Sequence, residues 1–146
     1  MDGVEVSSNV REVKRATEKS MLKAARMIGG SIEGHAKELC PVDTGLLRNS
    51  ITFAIGGQMP NTVDYASNDK DKSGNQIPVT KGTYPTAAPA DSSGEVTVYV
   101  GTNVEYAPYQ ELGTVKMKAK PFLRPAFENN QGEIEQILEK CMKEIP

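Results

Sequence analysis

The chain has no tryptophan and only three phenylalanines and five tyrosines, so its core must be aliphatic and modest in size. It has one histidine, His35, which excludes every metal site or catalytic triad built on several imidazoles. The two cysteines, Cys40 and Cys141, are too few and too far apart for a disulfide framework or a zinc site. Both are expected to be reduced, and no cofactor is expected. No apolar run approaches the roughly 20 residues of a membrane span. The opening MDGVEVSSNVREVKR has no apolar h-region, so a start in a cytoplasm and no membrane partner are expected. An excess of one charge is missing too. With 17 basic and 19 acidic residues the formal net charge is -2, so global attraction to nucleic acid is not expected.

What is present suits one domain over residues 1–146. The hydrophobic share is 38% and the charged share 25%, and a chain of this length removes about 70% of its unfolded surface from water. Asn9 and Glu12 have the spacing of a capping pair, which is expected to start a helix. After them Val10, Val13, Thr17, Met21, Ala24, Ile28, Ile32, His35 and Leu39 recur every three or four positions, which predicts a long amphipathic helix of about 45 Å. Gly29 and Gly30 are expected to mark a bend, and Pro41 ends the helix. From Leu46 to Ile55 the pattern has period 2, which predicts a half-buried strand.

Residues 56 to 94 differ in kind, since Gly, Pro, Asn, Asp, Ser and Thr dominate and apolar residues come singly. A structureless loop of that length is unusual in a compact domain. The segment is therefore expected to be a mobile hairpin or to become ordered against a partner, with short strands near Thr62–Ala66 and Gln76–Thr80 joined by a turn at Asp71–Asn75. Glu95–Gly101 predicts a strand, and Asn103–Leu112 a short helix ended by Gly113. Pro125 stands in the first turn of a last helix running to about Ile145. The fold class is α+β, a long N-terminal helix and a C-terminal helix packed on a small, mainly antiparallel sheet.

Three groupings invite a chemical reading. Asp43-Thr44-Gly45 matches the turn that supplies the carboxylate of aspartic proteases, and one copy per chain would make a dimeric hydrolase using Asp43. Those enzymes have an apolar strand before the Asp and Ser or Ala after the Gly, whereas Pro41-Val42 and Leu46-Leu47-Arg48 flank it here. The local reading, a turn with Asp capping backbone N–H groups and Gly at positive φ, is preferred. His35 lies five residues before Cys40, but a half-buried packing histidine is preferred over a Cys–His pair. Glu105 and Glu111 have the spacing of paired carboxylates, a spacing that helical polar faces carry routinely.

Charge placement is more informative. Arg11, Arg15, Lys19, Lys23 and Arg26 form one ridge of the first helix, and the last helix opposes it with Glu128, Glu133, Glu135, Glu139 and Glu144. Such helices pair within a subunit or between neighbours, or else stay solvated. Lys116, Lys118, Lys120 and Arg124 form a second basic set before the last helix. Contact with phosphates is open to them, but no aromatic residues are interleaved for base stacking. Both basic sets are candidate subunit contacts.

Three strings, taken together, resemble a known family: Pro41-Val42-Asp43-Thr44-Gly45-Leu46-Leu47-Arg48-Asn49-Ser50-Ile51, then Val104-Glu105-Tyr106-Ala107-Pro108-Tyr109-Gln110-Glu111-Leu112-Gly113-Thr114, then Lys120-Pro121-Phe122-Leu123-Arg124-Pro125-Ala126-Phe127. The patterns P-x-D-T-G-x-L-x-x-S-I, Y-A-x-Y-x-E-x-G-T and P-F-L-R-P-A, in that order, are similar to those of the tail-component family of long-tailed bacteriophages. The resemblance implies a structural virion protein without catalysis, a neck or tail-completion ring subunit at the head-tail joint, made in the host cytoplasm during assembly. It implies as partners further copies of the chain, head-closure or connector proteins, and tail-tube or tail-terminator proteins, with non-specific contact to passing DNA. In that reading Asp43, Thr44, Gly45, Tyr106, Glu111, Gly113, Phe122 and Pro125 define the fold. A small adaptor that forms no ring is the other non-enzymatic alternative.

Overall fold

The structure is a computed structural model that describes residues 10–42, 45–67, 70, 72–92 and 94–145, with side chains from Arg15 onward. Helix α1 runs unbroken over Val10–Leu39. It is followed by α2 (Leu46–Ser50), β1 (Thr52–Ile55), β2 (Asp64–Ala66), β3 (Lys81–Thr83), β4 (Val98–Gly101), α3 (Ala107–Leu112), α4 (Leu123–Glu128) and α5 (Gln131–Met142). The class is α+β, with two separate antiparallel ribbons in place of one sheet: β1 pairs with β4, Phe53 opposite Val100, and β2 with β3, Tyr65 opposite Gly82.

The core gathers on α1, against which β1, β4, α4 and α5 all pack. Its buried face is Ser20, Ala24, Ala25, Gly29, Ile32, Ala36 and Cys40. This face keeps Ala24 and Ile32 of the expected stripe but is shifted from the rest of it, for Met21, Ile28 and His35 are only half-buried and Leu39 is exposed. Small side chains predominate there beside Ile32, and at one position the ribbon comes too close for any side chain. At Gly29 a Cβ would overlap the Phe53 ring of β1. The helix continues through Gly29 and Gly30 with no break, and packing against Phe53 accounts for the first of these glycines. Asn9 lies outside the described residues.

Several expected boundaries move, each for a local reason. Leu46–Ser50 is helical, not extended: Gly45 turns the chain at φ 80, Asn49 N–H donates to Gly45 O at 2.9 Å, and Ser50 Oγ donates to Leu47 O at 2.6 Å. Leu47, Ser50 and Ile51 are the buried positions, a 3-4 spacing that overlaps the alternation read as a strand. The strand expected from Glu95 begins only at Val98, because the Asp91 carboxylate accepts the Thr97 N–H at 3.0 Å. The short helix starts at Ala107 and not at Asn103. The last helix is two helices, since Asn130 Nδ2 donates back to Ala126 O at 2.8 Å and competes with the helical ladder.

The polar excursion holds β2 and β3 near the expected places, with the second strand at Lys81–Thr83 and an isolated bridge between Lys70 and Gln76. Side chains tie its base to the core. Tyr84 Oη donates to Ser50 O at 2.5 Å and accepts from Asn103 N–H at 3.1 Å, and Asn49 Nδ2 donates to Ala66 O at 2.6 Å. Toward the tip, Lys72 to Gln76 and Pro78 to Lys81 are exposed.

Two outcomes follow from this packing. Gly29→Ala is expected to destabilise the fold by about 1–3 kcal/mol through overpacking on Phe53. Gly34→Ala, whose Cβ would meet nothing within 4 Å, is expected to stabilise it by about 0.5–1 kcal/mol through helix propensity. Urea denaturation of both variants checks the pair of opposite signs. Limited proteolysis is expected to cut first between residues 69 and 90, where polar composition buries little apolar surface; early cleavage confined to α1 would contradict this.

Candidate assembly surface

The surface is built on α3 and the loop that follows it. Pro108 presets the first turn of α3, and Gly113 ends the helix at φ 76 with its N–H on Tyr109 O at 2.9 Å. A side chain at Gly113 would lie 2.7 Å from Ala119 N and 2.9 Å from Met117 O, so the loop folds back across this glycine. Thr114 and Met117 exchange backbone hydrogen bonds of 2.8 and 3.3 Å, leaving Val115 and Lys116 at the tip of a two-residue turn. Lys116 N–H also donates to Thr114 Oγ1 at 3.2 Å, and Lys120 N–H to Gln110 O at 2.7 Å.

Glu111 then joins α3 to α4. Its Oε2 accepts the N–H groups of Phe122 at 2.7 Å and Leu123 at 3.0 Å, and its Oε1 that of Arg124 at 2.9 Å. A helix start leaves four N–H groups without intrahelical partners. In α4 the fourth position is Pro125, which has no N–H, so one carboxylate satisfies the whole set. Phe122, the N-cap residue, makes no side-chain cap of its own and is fully buried. Partial burial would raise the Glu111 carboxyl, but the three donors and the Arg124 charge outweigh it and hold the group below the ordinary glutamate range.

The three sequence strings converge here. Val42, Gly45 and Leu46 from the first, Tyr106, Tyr109 and Gln110 from the second, and Lys120 from the third line one groove of about 890 Å³. Gly45 takes the positive φ expected of that turn; Asp43 and Thr44 lie outside the described residues. Around the groove the surface is apolar and basic. Val115 is fully exposed, Leu112 is 77% exposed, and Tyr109 is exposed as well. Lys116, Lys118 and Lys120 are also exposed. Arg124 reaches Glu128 at 3.7 Å.

The other basic set is divided. Lys23 pairs with Glu144 of α5 at 2.9 Å, Ser31 Oγ donates to Glu133 Oε1 at 2.9 Å, and His35 Nε2 lies 2.8 Å from Glu133 Oε2. Part of the expected charge complementarity is therefore spent within the subunit. Arg15 and Lys19 are exposed on the same helix, and the Arg11 side chain lies outside the described residues. The His35 and Ser31 contacts hold Glu133 below the ordinary carboxylate range. His35 thus meets a carboxylate, not the Cys40 thiol, which donates to Pro41 O at 3.5 Å and which burial pushes up to about 11. Among the described residues no cluster of three or more His, Cys, Asp or Glu side chains is placed to hold a metal ion, and no helix is long and apolar enough to cross a membrane. The His35–Glu133–Ser31 group escaped the sequence reading, because residues about a hundred positions apart carry no local signal.

Residues 5–113 match the family described as "Bacteriophage HK97-gp10, putative tail-component". The chain belongs to this family. It is a structural phage protein, a tail component of the virion. Comparison with curated proteins and with solved structures gave no match. The matched stretch ends at Gly113, yet Glu111 inside it caps the start of α4 outside it, so the contacts of this tail component cross that limit.

Glu111→Gln or Glu111→Ala is expected to destabilise the fold by about 2 kcal/mol, since three N–H donors at the start of α4, two of them part-buried, lose a charged acceptor. The pH dependence has a definite sign. A carboxyl depressed in the folded state contributes stability above the unfolded glutamate pKa of about 4.3, and that stability is lost as pH falls through the lower folded value. Denaturant midpoints between pH 7 and pH 3 should fall less steeply in Glu111→Gln than in the wild type.

Proposed function

We propose that the protein is a non-catalytic ring subunit at the head-tail joint, a neck or tail-completion component. Its partners are further copies of itself, a head-closure or connector protein on one side and a tail-tube or tail-terminator protein on the other. The observation that supports this best is the braced apolar and basic projection from Tyr109 to Lys118. Its backbone hydrogen bonds fix the shape of a surface, and Glu111 is saturated by backbone donors. A carboxylate so engaged is a poor general base, and a buried thiol raised to about 11 is a poor nucleophile. A dimeric hydrolase using Asp43 is disfavoured by what flanks that residue, the end of α1 with Pro41 before it and helix α2 after it. Lys120 and Arg124, exposed beyond the projection, suit non-specific contact with DNA passing through the ring.

The test is the mass of the purified protein by light scattering, alone and with isolated tails. A multiple of 15.8 kDa is expected, weakening with salt, because exposed pairs are screened over a Debye length of about 8 Å. A monomer under every condition, tails included, would remove the ring. Asp43→Asn is expected to leave assembly intact, with no peptidase activity to lose; pepstatin-sensitive cleavage by the wild type, abolished in that variant, would overturn the non-catalytic reading.

A further inference from the structure

Helix α5 has two unlike flanks. On one, Glu133 and Glu144 engage Ser31, His35 and Lys23 of α1. On the other, Glu135, Leu138, Glu139 and Met142 follow one another at i, i+3, i+4 and i+7, which makes a single stripe along the helix. All four are exposed. Neither carboxylate of the stripe has an ion pair or hydrogen bond among the described residues. The stripe is thus two acids alternating with two apolar side chains, with no base among them.

The projection after α3 is its counterpart in every respect. It offers two exposed apolar side chains, Leu112 and Val115, next to two exposed cations, Lys116 and Lys118. Val115 stands at the tip of a turn closed by reciprocal backbone hydrogen bonds and anchored through Lys120 N–H on Gln110. A fully exposed β-branched side chain on a braced turn loses little conformational freedom when it is covered. The two patches lie on different elements of the same chain, so a contact between them is heterologous. Each subunit keeps one patch of each kind free for the next neighbour, and such contacts close into a ring when the rotation permits.

We infer that the projection of one subunit seats on the outward flank of α5 of the next. Val115 and Leu112 then cover Leu138 and Met142, and Lys116 and Lys118 face Glu135 and Glu139. The occupant of each patch is a second copy of this chain, chosen by charge complementarity and by matched apolar content. The inference rests on the ring reading and assigns its interface.

A charge swap tests it. Lys116→Glu with Lys118→Glu, and separately Glu135→Lys with Glu139→Lys, should each raise the apparent dissociation constant about 10-fold or more, as several exposed pairs are reversed at once. The four substitutions together should restore it to within about 3-fold of the wild type. Val115→Asp should weaken association without changing the circular dichroism spectrum, since Val115 touches no core residue. An oligomer indifferent to both charge sets, or a combined variant weaker than either set alone, would overturn this interface while leaving the ring standing. A wild type that is monomeric with and without tails would overturn the ring and the interface together.

Discussion

Close approach to one face of α1 is the constraint on which the rest of this fold depends. A chain without tryptophan and with three phenylalanines cannot fill a thick core, so layers must come near one another for dispersion to act. Ala24, Ala25, Gly29 and Ala36 provide that nearness, and the Phe53 ring lies where a Cβ of Gly29 would be. Because the helix is thin on this side, β1, β4, α4 and α5 all reach it. The core that results, Ile32, Ala36, Cys40, Leu47, Ile51, Val104, Ala107, Phe122 and Ala126, draws on four helices and the loops between them. Only one of its members is aromatic. That one, Phe122, is also the residue whose N–H is fixed by Glu111, so core filling and loop shape are linked at a single backbone position.

The linkage explains how a small core supports a rigid surface. Phe122 anchors the start of α4 from inside, and Glu111 anchors it from α3. Between these two points the chain from Gly113 to Pro121 is held as a short closed loop, narrowed by the contacts of Ala119 and Met117 across Gly113. Loop closure costs less as the loop shortens, and each internal hydrogen bond removes further freedom. The groove of about 890 Å³ beside it is bounded by the first string on one wall and the second on another. Residues far apart in sequence thereby form one continuous surface.

Much of this layout is legible from residue pattern, and what is not has physical causes. The long helix, the valine-rich strand, the Gly113 stop and the α+β class follow from periodicity and turn chemistry. The helical turn at Leu46–Ser50 does not, because apolar residues at 47 and 51 satisfy both periods over so short a span, and the decision is made by Gly45 and by the Ser50 bond to Leu47 O. The face of α1 that turns inward is only partly legible: hydrophobicity marks Ala24 and Ile32 correctly, but it marks Met21 and Ile28 as strongly, and it gives no sign of Gly29, which the Phe53 ring requires to be small. Glu111 and Phe122 stand out in the motif strings, but a cap delivered from 11 residues away leaves no capping-box spacing to read. The division of α5 between one flank bound to α1 and one left open depends on tertiary contacts alone.

That division bears on why exposed apolar groups are tolerated in this chain. Leu112, Val115, Tyr109, Val42 and Val79 all stand more than half exposed, and scattered singly such residues would need no explanation. Here Val42 and Tyr109 line the same groove, while Leu112 and Val115 belong to the helix and braced turn beside it. A core limited in thickness by the small face of α1 has no place for them, so burying them within the subunit would require a second layer that the chain does not build. Covering them in an assembly requires no such layer. The cations interspersed among them disfavour pairing of two identical projections, since like charges would meet. An acidic, equally apolar stripe on α5 lacks that repulsion, so in the proposed ring the polarity of the surface would favour a head-to-tail arrangement over a symmetric dimer.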